Sequence, residues 1–113
     1  MSEKLNNWLA EKVMGWHKES PNGISWAWCR LDGTIAYDVD LWNPTKDRHQ
    51  TMMCLNKALD ADWFVDISFC AGKVKLLQNG KLVTTQEFTD DSDLPLAICS
   101  AIREAVEVHD EDK

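Results

Sequence analysis

Residues 63–88 read WFVDISFCAGKVKLLQNGKLVTTQEF, and this stretch decides the fold. Trp63, Val65, Ile67 and Phe69 alternate with Phe64, Asp66, Ser68 and Cys70. A period of two is the signature of a strand that buries one face, so all four residues of the first set are expected in the core. Ala71-Gly72 then turns the chain, residues 73–77 form a second strand, and Asn79-Gly80 precedes a third over 81–88. Asn-Gly suits a type I′ turn, which needs positive φ at both central residues. Strands joined this tightly pair as antiparallel neighbours.

Working towards the N-terminus, Met52, Leu55 and Leu59 form the apolar stripe of a helix that opens at Asn43-Pro44-Thr45 and ends near Asp60, with Asn43 as its cap. Before it, Ile24, Trp26 and Trp28 alternate on one strand and Ile35, Tyr37 and Val39 on another. Asp32-Gly33 between them reads as a second type I′ turn. Leu5, Leu9, Val13 and Trp16 recur at helical spacing over residues 2–16, with Ser2 as cap, and residues 17–23 read as a loop. Towards the C-terminus, an acidic linker over 89–93 leads into a helix capped by Ser92 or Asp93. Leu94, Ile98, Ala101, Ile102 and Ala105 face inward, and residues 109–113 are expected to fray. The order α-β-β-α-β-β-β-α predicts one α+β domain over 1–113, an antiparallel five-stranded sheet covered by helices.

Charge is unevenly placed. The net charge is −7, with 12 Lys+Arg and 19 Asp+Glu. Residues 1–86 balance, whereas Glu87, Asp90, Asp91, Asp93, Glu104, Glu107, Asp110, Glu111 and Asp112 face only Arg103 and Lys113. Such a surface repels nucleic acid and anionic membrane and attracts basic partners. Asp90, Asp91, Asp93, Glu104 and Glu107 are therefore the expected partner-binding residues.

Chemistry-bearing patterns are sparse. Cys29, Cys54, Cys70 and Cys99 form no CxxC pair, and His17, His49 and His109 have no ligand spacing to them, so neither a metal site nor a nucleophile–base pair is expected. No glycine-rich phosphate loop is present, and no cofactor or enzymatic activity is expected. With no secretion signal read at the N-terminus and no apolar run long enough to span a bilayer, a reducing cytoplasm is the expected location and the cysteines are expected as buried free thiols. Asp38 with Asp40, and Asp60 with Asp62, are spaced to face one way on extended chain. They suit a cation, although solvated loop acids are the simpler reading. Trp26 and Trp28 share a strand face and would stack a ligand if exposed or pack into the core if covered. Lys73, Lys75 and Lys81 surround one hairpin, either as an anion site or as protection for a sheet edge.

Three motifs carry a family resemblance. Val13-Met14-Gly15-Trp16, Trp42-Asn43-Pro44-Thr45-Lys46-Asp47 and Leu94-Pro95-Leu96-Ala97-Ile98-Cys99, in this order, resemble the phage ABA sandwich domain over nearly the whole chain. The resemblance implies an α-β-α layered fold and a bacteriophage or prophage origin. It implies no catalytic residues. The resulting expectation is a non-enzymatic accessory protein that binds a basic host protein through its acidic surface. A small-molecule or nucleotide-signal binder and a dimer-forming structural protein are the alternatives.

Overall fold

A computed structural model describes residues 2–20, 23–59 and 63–111, except the side chains of Ser2 and residues 108–111. The class is the expected mixed α+β fold with antiparallel sheet. Helix α1 (Ser2–Trp8) continues as a wider turn over Leu9–Val13. Strands β1 (His17–Glu19), β2 (Ala27–Cys29) and β3 (Ile35–Asp38) follow, then α2 (Arg48–Ala58). Strands β4 (Trp63–Ser68), β5 (Lys73–Gln78) and β6 (Lys81–Glu87) lead to α3 (Leu94–Glu111).

Among the described residues, six strands replace the expected five, and they divide into two sheets, β1-β2-β3 and β4-β5-β6, instead of one. The additional strand is β1, from the stretch read as loop: His17, Lys18 and Glu19 pair with Cys29, Trp28 and Ala27. Three residues are too few to display the alternation that marks a strand. The Asp60–Asp62 pair and Pro21-Asn22 lie outside the described residues. α3 reaches Glu111, into the stretch expected to fray.

Local chemistry explains the ends of the elements. At the end of the α1 turn, Gly15 adopts φ 74° and the Trp16 N–H reaches back to Ala10 O at 2.9 Å, closing the helix as a left-handed C-terminal glycine allows. The Asn79-Gly80 hairpin has positive φ at both residues, 53° and 81°, as expected. The Asp32-Gly33 hairpin does not: only Gly33 is positive, at 90°. Asp32 instead accepts from the Thr34 amide at 2.9 Å and the Thr34 hydroxyl at 2.6 Å, which hold its carboxyl below the usual carboxylate range. α2 begins at Arg48, capped by Asp47, whose Oδ1 accepts from Gln50 N at 3.1 Å. Asn43, the expected cap, is committed elsewhere. A 3-10 turn over Asp91–Asp93, capped by Asp90 accepting from Ser92 N, leads directly into α3 at Leu94.

α3 is the hub. It packs against α2 and α1 and also against β5 and β6. Ala97, Ile98, Cys99, Ala101, Ile102 and Ala105 are all buried. The facing side of the second sheet contributes Val74 and Leu76, both fully buried on the central strand. Their partners Ile67 and Val65 on β4 are only half-buried, as is Trp63. Phe69, past the end of β4, is 61% exposed. The expectation that all four form core is thus corrected, because β4 is an edge strand lying beyond the helix that covers β5. The opposite side of this sheet carries Phe64, Leu77 and Leu82 in one row, with Phe64 and Leu82 exposed. The layering implied by the resemblance therefore does not extend to that face.

Of the lysines read as edge protection, Lys81 begins the edge strand β6, whereas Lys73 and Lys75 change meaning because β5 is the middle strand. Lys75 lies opposite Asp66, and Lys73 opposite Glu87.

A buried polar knot joins α1 to the segment before α2. Asn6 O accepts from Trp42 Nε1 at 2.8 Å, Asn6 Nδ2 donates to Asn43 Oδ1 at 2.9 Å, and Asn6 Oδ1 accepts from Thr45 N at 3.2 Å. Gln50 Oε1 accepts from Asn43 N and its Nε2 donates to Leu41 O at 2.8 Å. Thr51 Oγ1 donates to Pro44 O or Asp47 O, and Cys99 Sγ lies 3.3 Å from Pro44 O. Gln50 and Thr51 consequently form the inner face of α2 with Cys54 and Leu55, while Met52, expected inside, is 45% exposed.

Two substitutions test this account by chemical denaturation. Leu76→Ala removes a fully buried side chain and should cost about 2–5 kcal/mol, with half-buried Ile67→Ala clearly less. Asn6→Ala should cost roughly 1–3 kcal/mol by leaving the buried Thr45 amide and Asn43 side chain without their partner.

Candidate functional site

The sequence places its surplus acid in the last quarter of the chain, and the fold gathers part of it along one groove. β6 ends beside the first turns of α3. Between them lies a cavity of about 420 Å³ lined by Gln86, Glu87, Phe88, Asp93, Leu96 and Ser100, among others. That is within the usual range for ligand sites. Asp93, Ala97, Ser100 and Glu104 follow one another at helical spacing, so one side of α3 forms a wall with acid at both ends. Glu87 and Asp93 are exposed at the groove. At the far end Gln86 Nε2 donates to Glu104 Oε2. Leu96, 39% exposed, supplies an apolar wall.

The five expected partner-binding acids fall into different situations. Asp93 lines the groove, and its carboxylate has no hydrogen-bond or ion-pair partner among the described residues. Glu104 is held at its end by Gln86. Asp90 is occupied as a cap. Asp91 is exposed, but the Arg48 guanidinium donates to its carbonyl at 3.4 Å, bringing a positive charge close. Glu107 is paired with Arg103 at 3.1 Å, and that guanidinium also lies 5.5 Å from the centre of the Trp8 ring. Glu87, Leu96 and Ser100 join the groove without having been singled out from sequence. The spacing of Asp93, Ser100 and Glu104 was a usable signal for the α3 wall. Glu87 needed the β6–α3 contact, which no local pattern announces.

The two tryptophans expected either to stack a ligand or to pack into the core separate. Trp28 is fully buried, with Lys18 Nζ 5.3 Å from its ring centre, and cannot stack a ligand. Its indole N–H has no acceptor among the described residues. Trp26, just before β2, is 57% exposed. It borders a second groove, of about 480 Å³, with Ile24, Ser25, Asp38, Val39, Asp40 and Leu41. Asp38 ends β3 on extended chain as read, whereas Asp40 lies in a 3-10 turn over Val39–Leu41, and both line this groove.

No group of three His, Cys, Asp or Glu among the described residues could hold a metal ion. Cys29, Cys54 and Cys99 are buried and Cys70 is exposed, all as free thiols. Burial pushes the Cys54 thiol up to about 12. Burial pushes Cys99 higher still, with Cys54 nearby adding to the shift and Thr51 opposing it. No described helix is long and apolar enough to cross a membrane.

The three motifs of the resemblance meet in space: Trp16 packs edge-on to Trp42 at 4.8 Å, and Cys99 reaches the carbonyl of Pro44. No family model, curated protein or solved structure matches the chain.

The thiols give a direct check on this arrangement. At about pH 8 a thiol reagent should titrate Cys70 alone in the folded protein, because the thiolate is the reactive form and the others are buried. All four should titrate in denaturant. Fast modification of Cys54 or Cys99 in the folded state would contradict the packing of α2 on α3.

Proposed function

We propose that the chain is a non-enzymatic phage or prophage accessory protein that binds a basic segment of a host protein in the groove between β6 and α3. The observation that carries this reading is one cavity lined by Glu87 and Asp93 beside exposed Leu96, with Glu104 bound to Gln86 of its lining. A lysine- or arginine-bearing segment would find carboxylates at both ends and apolar surface between them. Opposite charge would steer its approach, while the apolar floor would lengthen its stay. The phage assignment rests on the three motifs, and the cytoplasmic location on the free thiols. The small-molecule alternative is weakened by the burial of Trp28, which removes half of its stacking platform.

Partner capture from bacterial lysate tests the reading when the protein is compared with Asp93→Lys/Glu87→Lys. The expected partner is retained by the first and lost by the second. Its association rate with the variant should fall roughly tenfold at low salt, and the difference should shrink as salt screens the charges. Glu107→Lys, which alters an acid already paired with Arg103, should have a much smaller effect. An unchanged rate for the Asp93/Glu87 variant at low salt would refute the proposal.

A further inference from the structure

The groove beside Trp26 is a separate site from the one between β6 and α3. Its walls are unusually apolar for open surface: Ile24 is 88% exposed, Trp26 57% and Leu41 63%. The backbone holds these walls together, since Val39 N donates to Trp26 O at 3.2 Å and Ala27 pairs with Asp38. Asp38 and Asp40 line the same cavity, and neither carboxylate has a hydrogen-bond or ion-pair partner among the described residues. No lysine or arginine lines it.

The chemistry of this wall set narrows the occupant. Two carboxylates repel phosphate and carboxylate ligands. A divalent cation such as calcium seeks about six or more oxygen ligands, and here the acids sit among aliphatic and indole surfaces. An organic cation on an apolar stem matches both features, because its charge is drawn to carboxylates and to an indole face while its methylenes cover Ile24 and Leu41. A cavity of about 480 Å³ is larger than one such side chain needs, leaving room for apolar neighbours of the same chain.

We propose that this groove docks a lysine- or arginine-bearing apolar segment of a partner polypeptide, its cationic head between Asp38 and Asp40 and its stem against Trp26. The site does not depend on the β6–α3 groove and can be tested without knowing the natural partner.

The test labels the protein with 5-fluorotryptophan, giving one fluorine resonance for each of six tryptophans, with Trp26 assigned through Trp26→Phe. The probes are acetyl-Leu-Arg-Leu-amide and its Gln and Glu counterparts. The Trp26 signal should shift saturably with the Arg peptide, roughly tenfold more weakly with the Gln peptide and not at all with the Glu peptide. Asp38→Asn/Asp40→Asn should abolish the preference for Arg, while Asp93→Asn should preserve it. Unmoved resonances from the five other tryptophans show that the variants are folded. No shift, equal shifts for all three peptides, or an Arg preference that survives the double Asn variant would overturn the proposal. So would an equal response to ethylguanidinium, which would make the ligand a free cation. A Trp26 shift on raising the protein concentration alone would also overturn it, making the occupant a second copy of the chain.

Discussion

A buried amide or carbonyl left without a partner costs roughly 1–3 kcal/mol, and residues 41–51 place many such groups inside this protein. The chain there is neither helix nor strand for most of its length, so it cannot satisfy them by regular pairing. Asn6 supplies the missing partners from α1, offering its backbone carbonyl to Trp42 and both ends of its side chain to Asn43 and Thr45. Gln50 and Thr51 complete the set from α2. Trp42 is thereby fixed against Trp16 and Tyr37, which ties the first sheet to the helices. Cys99 brings α3 to the same carbonyl of Pro44. One polar arrangement thus sets the relative placement of three helices and one sheet.

This network also explains what could be read in advance. The meander over 63–88, the last helix and the Asn79-Gly80 turn were legible because their patterns are local. The inner face of α2 was not, because Gln50 and Thr51 look like solvent-facing residues until Asn43 and Pro44 are placed beside them. The same holds for capping: Asn43 has the right chemistry for a cap, but Asn6 claims its side chain and Asp47 takes over. The cover on β4 was misjudged because alternation reveals which residues share a side, not how far a helix extends across it. The acidic surface was legible as a sum over residues. Its division into caps, paired acids and groove-lining acids required the fold.

The two grooves have different origins. One lies where a strand and the hub helix meet, so its walls are rigid elements. The other lies at the end of the first sheet, where β2 and β3 leave their ladder and a 3-10 turn carries the chain away. Both combine exposed apolar side chains with carboxylates that have no ion-pair partner among the described residues, Asp93 in the first and Asp38 and Asp40 in the second, a composition that favours basic, partly apolar ligands over nucleic acid. The open row of Phe64, Leu77 and Leu82 is of another kind, since its neighbours Asp66, Lys75, Lys73 and Glu87 balance in charge.

The place of α3 in the chain has a consequence for biosynthesis. Every other core element precedes it, and both the second sheet and the α1–α2 pair need it to cover their apolar faces. While a ribosome is still adding residues before 94, Val74, Leu76, Cys54 and Leu55 have no lasting shelter, and the nascent chain exposes the kind of surface that chaperones bind. The core of this protein is therefore completed only when that last helix arrives, and a chain truncated before it would leave both apolar faces uncovered.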